Sequence, residues 1–352
     1  VHADMGLDDA GAWDGLPGGD RLWRLRIESQ DAVSLSAIFS RFRLPEGAEL
    51  YVYDDERAHV LGAYTARNNK EDGRFAFEPV PARAITLEYR EPAAAEPCEL
   101  RIERVVHGYR SIESMPESSC HVGIKCPDGA GWGPHGRAVV RIVNGGSLCT
   151  GSFLNTTANN GQRMLMTANH GGSVDDAVCQ FKYHETTCGG VGASQSKSVQ
   201  GSKLLATGAA ADYRLVCVKE DIPPGYGAFF AGWNRSPVAP ASTVSIHHPN
   251  GLPKSIAKDF DPPLRSGNFW NVVAWDVGTT EPGSSGGPLY GDDGRFVGQL
   301  LGGGADCLNP VDDYYGAIDA YWTQVAPFLD PLDKGVSQVD GRNAKDKGAN
   351  PV

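Results

Sequence analysis

Short runs in which apolar and polar side chains alternate recur along this chain, and no other feature restricts its fold as much. Successive side chains on a strand point to opposite faces, so a period of two marks a half-buried strand. "LWRLRI" sets Trp23, Leu25 and Ile27 on one face and Arg24 and Arg26 on the other. "ELYVYDD", "AITLEYRE" and "CELRIERV" repeat the device, with turns such as "LPEGAEL" and "NNKEDGRF" between them. Gly occurs 44 times and Pro 23 times, while stretches with a helical period are scarce outside the C-terminal part. An all-β fold follows, and the strands of residues 1–106 predict a small β-sandwich, interrupted only by "EPAAAEP" at 91–97.

The texture then changes. "HGYRSIESMPESS", residues 107–119, is polar and aperiodic and reads as an inter-domain linker. From Cys120 to residue 332, strands such as "GRAVVRIV" and "CTGSFL" alternate with long Gly-rich loops, which marks a second domain. Residues 333–352 are charged and lack core-forming side chains, so a flexible tail is expected there. A net charge of -11 with no Lys/Arg cluster argues against nucleic acid as a partner. No apolar run approaches the ~18 residues that cross a bilayer.

Eight cysteines stand at 98, 120, 126, 149, 179, 188, 217 and 307. None forms C-x-x-C, and the pair at 120 and 126 has no second half at zinc-finger spacing, so no metal is expected. An even count without metal spacing favours disulfides and a secreted or periplasmic location. The sequence begins at Val1, which implies that a signal peptide has been removed or trimmed.

The chemistry concentrates in "TTEPGSSGGPLY", residues 279–290, where Ser284 and Ser285 are adjacent. A serine hydroxyl needs a base to take its proton, usually a His oriented by a carboxylate. The stretch satisfies G-x-S-x-G, the nucleophile elbow of α/β-hydrolases, which requires a His after the nucleophile. None of the nine histidines lies beyond Ser285, so that arrangement fails on order. The order His, Asp, Ser remains open. "RMLMTANHGG" places His170 at the end of an apolar strand, and "AADYRLVCV" places Asp212 at the start of another.

These segments resemble the bacterial lysyl endopeptidase family, secreted trypsin-fold serine proteases, over roughly residues 118–332. The likeness lies in "SCHVGIKCPDG", "CTGSFLNTTANNGQRMLMTANH", "ADYRLVCV", "AGWNRSPVAPASTVSIHHPNG", "TEPGSSGGPLY", "VGQLLGG" and "DDYYG". The resemblance implies a double β-barrel with His170 as general base, Asp212 as its orienting carboxylate and Ser285 as nucleophile. It implies an oxyanion hole from the backbone N–H groups of Gly283 and Ser285, and makes Ser284 only the neighbour. The acid of trypsin's own specificity pocket is absent, because Thr279 occupies its position. The family's acid before an aromatic-Gly pair falls on Asp313, with Asp312 a close competitor, so a basic residue is expected before the scissile bond, Lys above Arg. Leu301 and Gly302 then belong to the substrate-binding strand. The family pattern also pairs Cys120 with Cys307 and Cys126 with Cys188, leaving three connectivities open for Cys98, Cys149, Cys179 and Cys217.

Three departures stand out. Leu301 replaces a histidine that typical members place beside the substrate. Ser284 replaces the Asp with which trypsin captures its new N-terminus. Gly171 replaces a cysteine, depriving Cys149 of its partner. His247 and His248 in "IHHP" lack a spaced carboxylate, so they do not indicate metal. The N-terminal sandwich resembles the region before the protease domain in precursors of this family, either a pro-domain or an accessory module. The expected protein is a monomeric endopeptidase acting on polypeptides without a cofactor. The alternative is a non-catalytic binding or adhesion protein on a protease scaffold.

Overall fold

The computed structural model describes residues 1–109, 120–190 and 197–344. Most of the expected linker, including its only basic residue Arg110, and the end of the expected tail lie outside them. Contacts divide the chain into two compact units, Val1–Ser111 with Asp176–Val178, and Ile112–Asp175 with Cys179–Val352.

The first unit is a β-sandwich. One sheet orders the strands His2–Gly6, Glu99–Gly108, Ser34–Arg43 and Phe75–Ala76; the other orders Ala12–Gly15, Arg21–Glu28, Ala84–Glu91, Glu49–Asp54 and Val60–Tyr64. The alternation in "LWRLRI" does what its period demands: Trp23, Leu25 and Ile27 are buried, and Arg24 and Arg26 face solvent. Those three pack with Leu35, Phe39, Phe42, Leu50, Leu87 and Tyr89 in one core. Each large apolar side chain buried in this way contributes ~1.5–3 kcal/mol. On the outer face Arg24 pairs with Glu88 at 2.8 Å, which keeps that face soluble and adds little to stability.

The second unit carries two large antiparallel sheets, the two barrels of a trypsin-like fold. The first orders Lys197–Gln200, Val178–Phe181, Val139–Asn144, Ser147–Leu154, Met164–Ala168, Tyr213–Val218 and Ser202–Gly208. The second runs Val122–Gly123, Ser255–Asp259, Thr243–His247, Pro288–Gly291, Phe296–Gly303, Val311–Ala317, Phe269–Ala274 and Leu264–Ser266. Met164–Ala168 is buried on both faces, which is why "MLMTA" does not alternate. The strand expected over "GRAVVRIV" begins only at Val139. Pro134 opens a short helix, Gly133–Ala138, that takes its first residues. Leu154, Met164, Met166 and Leu215 from the first barrel share a core with Trp233, Ile246, Ile256, Tyr290 and Phe296 from the second.

The tail is a correction to the sequence reading as far as Ala344. After the helix Trp322–Leu329, Gln338–Val339 pairs with Trp233–Asn234, and Arg342–Asn343 with Phe229–Phe230. Asp330 accepts the Thr157 hydroxyl at 2.7 Å and the backbone N–H of Lys334 at 3.0 Å, fixing the turn that starts this return. Charged composition hid the segment because it is bound through its backbone, with few side chains to bury. Among the described residues no helix is long and apolar enough to cross a membrane.

Two disulfides are formed. Cys120 bonds Cys307 with Cα atoms 5.4 Å apart, and Cys126 bonds Cys188 with Cα atoms 4.5 Å apart. Cys98, Cys149, Cys179 and Cys217 are free thiols, so none of the three further connectivities is used. Burial pushes the Cys149 thiol up to about 11 and the Cys179 thiol up to about 12, which makes them poor nucleophiles.

Candidate active site

His170 lies two residues after the end of the buried strand Met164–Ala168, whose neighbour Tyr213–Val218 begins one residue after Asp212. Adjacent strands therefore deliver both groups to the same end of the first sheet, in the register Ala168 opposite Tyr213. Asp212 closes a 3-10 turn at Ala209–Ala211 in a left-handed conformation, φ 50° and ψ 40°, which Asp tolerates better than most residues. Its backbone carbonyl accepts the N–H of Asn169 at 3.1 Å. The Gln299 side-chain amide, from the second sheet, donates to Ala211 at 2.9 Å. The turn is thus clamped from both barrels.

The carboxylate of Asp212 is buried at 4% exposure. Its Oδ1 accepts the His170 backbone N–H at 2.8 Å, and its Oδ2 lies 2.7 Å from His170 Nδ1. A carboxylate only accepts, so Nδ1 carries the proton and the Nε2 lone pair is left to face Ser285. His170 Nε2 is 2.9 Å from Ser285 Oγ. The hydrogen bond to Asp212 holds the His170 pKa above the ordinary imidazole value, against a smaller lowering by burial.

The loop that presents Ser285 is held by its carbonyls. Thr150 donates its hydroxyl to Gly283 O at 2.9 Å and its backbone N–H to Ser285 O at 2.8 Å. With both carbonyls drawn to Thr150, the N–H groups of Gly283 and Ser285 donate to no protein acceptor among the described residues. Gly283 has φ +96° and Gly286 φ +80°. At Gly286 a Cβ would collide with the Thr150 carbonyl and the Thr167 hydroxyl, so this corner admits only glycine. Hydrogen bonds from Gly286 N to Leu300 O and from Leu300 N to Gly287 O, both 2.8 Å, tie the loop to the strand Phe296–Gly303.

That strand leads to the second part of the site. It carries a bulge between Leu300 and Gly302, leaving Leu301 partly exposed and Gly302 at φ +132°. Gly303 pairs with Asp313 on the strand Val311–Ala317. Asp313 is 1% exposed; its Oδ2 accepts Trp275 Nε1 and Thr280 Oγ1, both at 2.7 Å. Its Oδ1 is buried with no partner among the described residues. Burial raises the Asp313 pKa, the bonds from Thr280 and Trp275 lower it, and Asp312 raises it further. Asp312, the residue before it, has a left-handed φ of 62° and is exposed. Thr279 is buried, and the next residue, Thr280, is the one that bonds Asp313.

Other sequence candidates fall elsewhere. His247 and His248 are fully buried and serve different partners: His247 Nδ1 lies 2.8 Å from Ser284 Oγ, and His248 Nδ1 donates to Leu252 O at 2.9 Å. Cys120, His121 and Cys307 bring ligand-type atoms within 4.8 Å of one another, but the two sulfurs are bonded to each other. At Gly171 a Cβ would stand 2.8 Å from Cys149 Sγ. Sequence reasoning missed Thr150, Trp275 and Thr280, which carry no signal of their own and act only through contacts distant in sequence.

A fold of two six-or-more-stranded antiparallel barrels with His, Asp and Ser meeting where they adjoin is that of the trypsin-like serine proteases. Residues 116–316 match the family model described as lysyl endopeptidase, C-terminal domain. The chain belongs to that family. Solved structures similar to it include the active form of the Rv3671c protease from M. tuberculosis, at 17% identity over 57% of this chain and 83% of that one, TM-score 0.39. A serine endoprotease from Yersinia pestis is 16% identical over 57% of this chain and 64% of its own, TM-score 0.40. The MamO protease domain from Magnetospirillum magneticum is 16% identical over 55% and 97%, TM-score 0.37. These likenesses are loose, and the functional assignment rests on the family match and on the geometry of the site.

Proposed function

We propose that this protein is a secreted or periplasmic serine endopeptidase that cleaves polypeptides after basic residues, Lys above Arg. The observation that carries it is the unbroken line Asp212–His170–Ser285, with bonds of 2.7 and 2.9 Å. His170 Nε2 takes the Ser285 proton as Oγ attacks the scissile carbonyl, and Asp212 stabilises the imidazolium that forms. The N–H groups of Gly283 and Ser285 receive the negative charge of the tetrahedral intermediate. Loss of one such donor costs ~2.7–4 kcal/mol of transition-state stabilisation. His170 then gives its proton to the leaving amine, an acyl group remains on Ser285 Oγ, and water attacks it by the same route in reverse.

Asp313 supports the preference for a cation. A buried carboxylate with one oxygen bonded to Trp275 and Thr280 and the other unpartnered is costly until a positive charge arrives. A Lys ammonium supplies that charge and a hydrogen bond to Oδ1. A fluorophosphonate probe should label wild-type protein at Ser285, and profiling a random peptide library should return Lys before the cut. Folded protein that takes no label would favour a binding protein on a protease scaffold instead.

A further inference from the structure

We infer that His247 is a positioning residue for the oxyanion hole, acting through the buried hydroxyl of Ser284. This rests on the protease reading above, because the groups it positions are the N–H donors of Gly283 and Ser285. Ser284 stands between those donors, is 0% exposed and turns its side chain into the second barrel. Its Oγ accepts the backbone N–H of Glu281 at 3.1 Å and meets His247 Nδ1 at 2.8 Å. Among the described residues the Ser284 hydroxyl hydrogen has one acceptor within reach, Nδ1, so the arrangement that leaves the fewest buried groups unmatched has Ser284 donate and His247 accept.

The rest of the imidazole shows what it is retained for. His247 Nε2 is buried with no partner among the described residues. Burial also pushes the His247 pKa down to about 3, so the ring is neutral throughout the working range. With Nδ1 accepting, Nε2 carries a proton that goes unmatched. A buried unmatched donor is destabilising, and an apolar side chain would avoid it. What the imidazole supplies in return is one acceptor, aimed at Ser284 from the strand Thr243–His247. That strand is hydrogen-bonded on both sides, to Ser255–Asp259 and to Pro288–Gly291.

The loop is therefore held from two directions. Thr150 pulls the carbonyls of Gly283 and Ser285 one way. Ser284, anchored to Glu281 and His247, pulls the intervening residue the other way. Rotation of the Ser284–Ser285 peptide is what would turn the Ser285 N–H away from the substrate, and a shift of Ser284 would carry Gly283 with it. A hydrophobic residue at 247 leaves the hydroxyl one anchor short; an Asn retains an acceptor close to the place of Nδ1.

The test compares S284A, H247L and H247N in the full chain on a Lys ester. S284A should lower kcat about 10- to 100-fold with KM within about two-fold, short of the ~10²–10³-fold that outright loss of a donor produces. Affinity for a Lys-type peptide boronate should fall in parallel, while affinity for hexylamine, which needs only the acid pocket, stays unchanged. H247L should match S284A, and H247N should recover most of the loss. Amide hydrogen exchange at residues 283–285 should quicken in S284A, a readout that stands even if the wild type proves unreactive toward fluorophosphonate and the protease reading fails. A kcat for S284A within about two-fold of wild type, equal impairment of H247L and H247N, or unaltered exchange at 283–285 would overturn the inference.

Discussion

Replacing Asp313 by Asn removes one charge and almost no volume, so it isolates what the buried carboxylate does. The carboxylate uses Oδ2 for Trp275 and Thr280, both donors at 2.7 Å. In the variant the amide oxygen must take those two bonds, which turns the NH₂ group toward the place of the unpartnered Oδ1. A substrate ammonium then meets a donor where an anion stood. Two unit charges 4 Å apart attract by ~4 kcal/mol at an effective dielectric of ~20. Losing one partner of such a pair typically costs ~2–5 kcal/mol, or about thirty- to several-thousand-fold in kcat/KM. The assay is kcat/KM on one peptide with Lys, Arg or norleucine before the cut, beside labelling of Ser285 by an uncharged fluorophosphonate. D313N should lose Lys and Arg cleavage to that extent, keep labelling, and bring norleucine level with Lys. Stability should move the other way. The folded pKa of Asp313 is raised, so its stabilising proton is held at low pH and lost as pH rises through that value. At neutral pH the variant, relieved of a buried charge, should melt no lower than wild type. D312N, changed at an exposed position, should alter cleavage by a few-fold at most. An undiminished preference for Lys in D313N, or a collapse in D312N instead, would refute the reasoning.

Other expectations come from the same geometry. H170A and S285A should each nearly abolish turnover, and the double variant should be little worse than either, because the two act as one unit; multiplying losses would argue against the pairing. The acid limb of the kcat/KM profile should lie above the ordinary imidazole value, since the bond to Asp212 raises His170, and D212N should move it down. The stabilising contact between protonated His170 and Asp212 is correspondingly present at low pH and lost as pH rises through the raised value. G171C should form a disulfide with Cys149, whose sulfur lies 2.8 Å from a Cβ at 171. Closing that loop should stabilise by ~3 kcal/mol, visible as a higher Tm that C149S abolishes; an unchanged Tm with free thiols would count against it.

The sequence alone determined what depends on local periodicity and on the order of reactive residues. Alternation in "LWRLRI" dictated which side chains the sandwich buries, because a strand has only two faces. His170, Asp212 and Ser285 were legible because each sits in a short stretch of distinctive composition, and because the lack of any His after Ser285 removes the hydrolase order. What the sequence withheld is what a chain decides by meeting itself. Residues 333–344 read as tail and include strands, because a backbone ladder needs no apolar side chains. Asp312 and Asp313 were adjacent acids until the strand Val311–Ala317 turned one outward and the other toward Thr280 and Trp275. Thr150 and His247 sit in stretches that resemble the family, but nothing in those stretches marks them as loop anchors, and they hold the loop of Ser285 only because two barrels bring residues 150, 247 and 284 together. Side-chain chemistry is written along the chain, but burial and hydrogen-bond partners are properties of three dimensions, and it is they that decide which of two serines, two aspartates or two histidines is given a task.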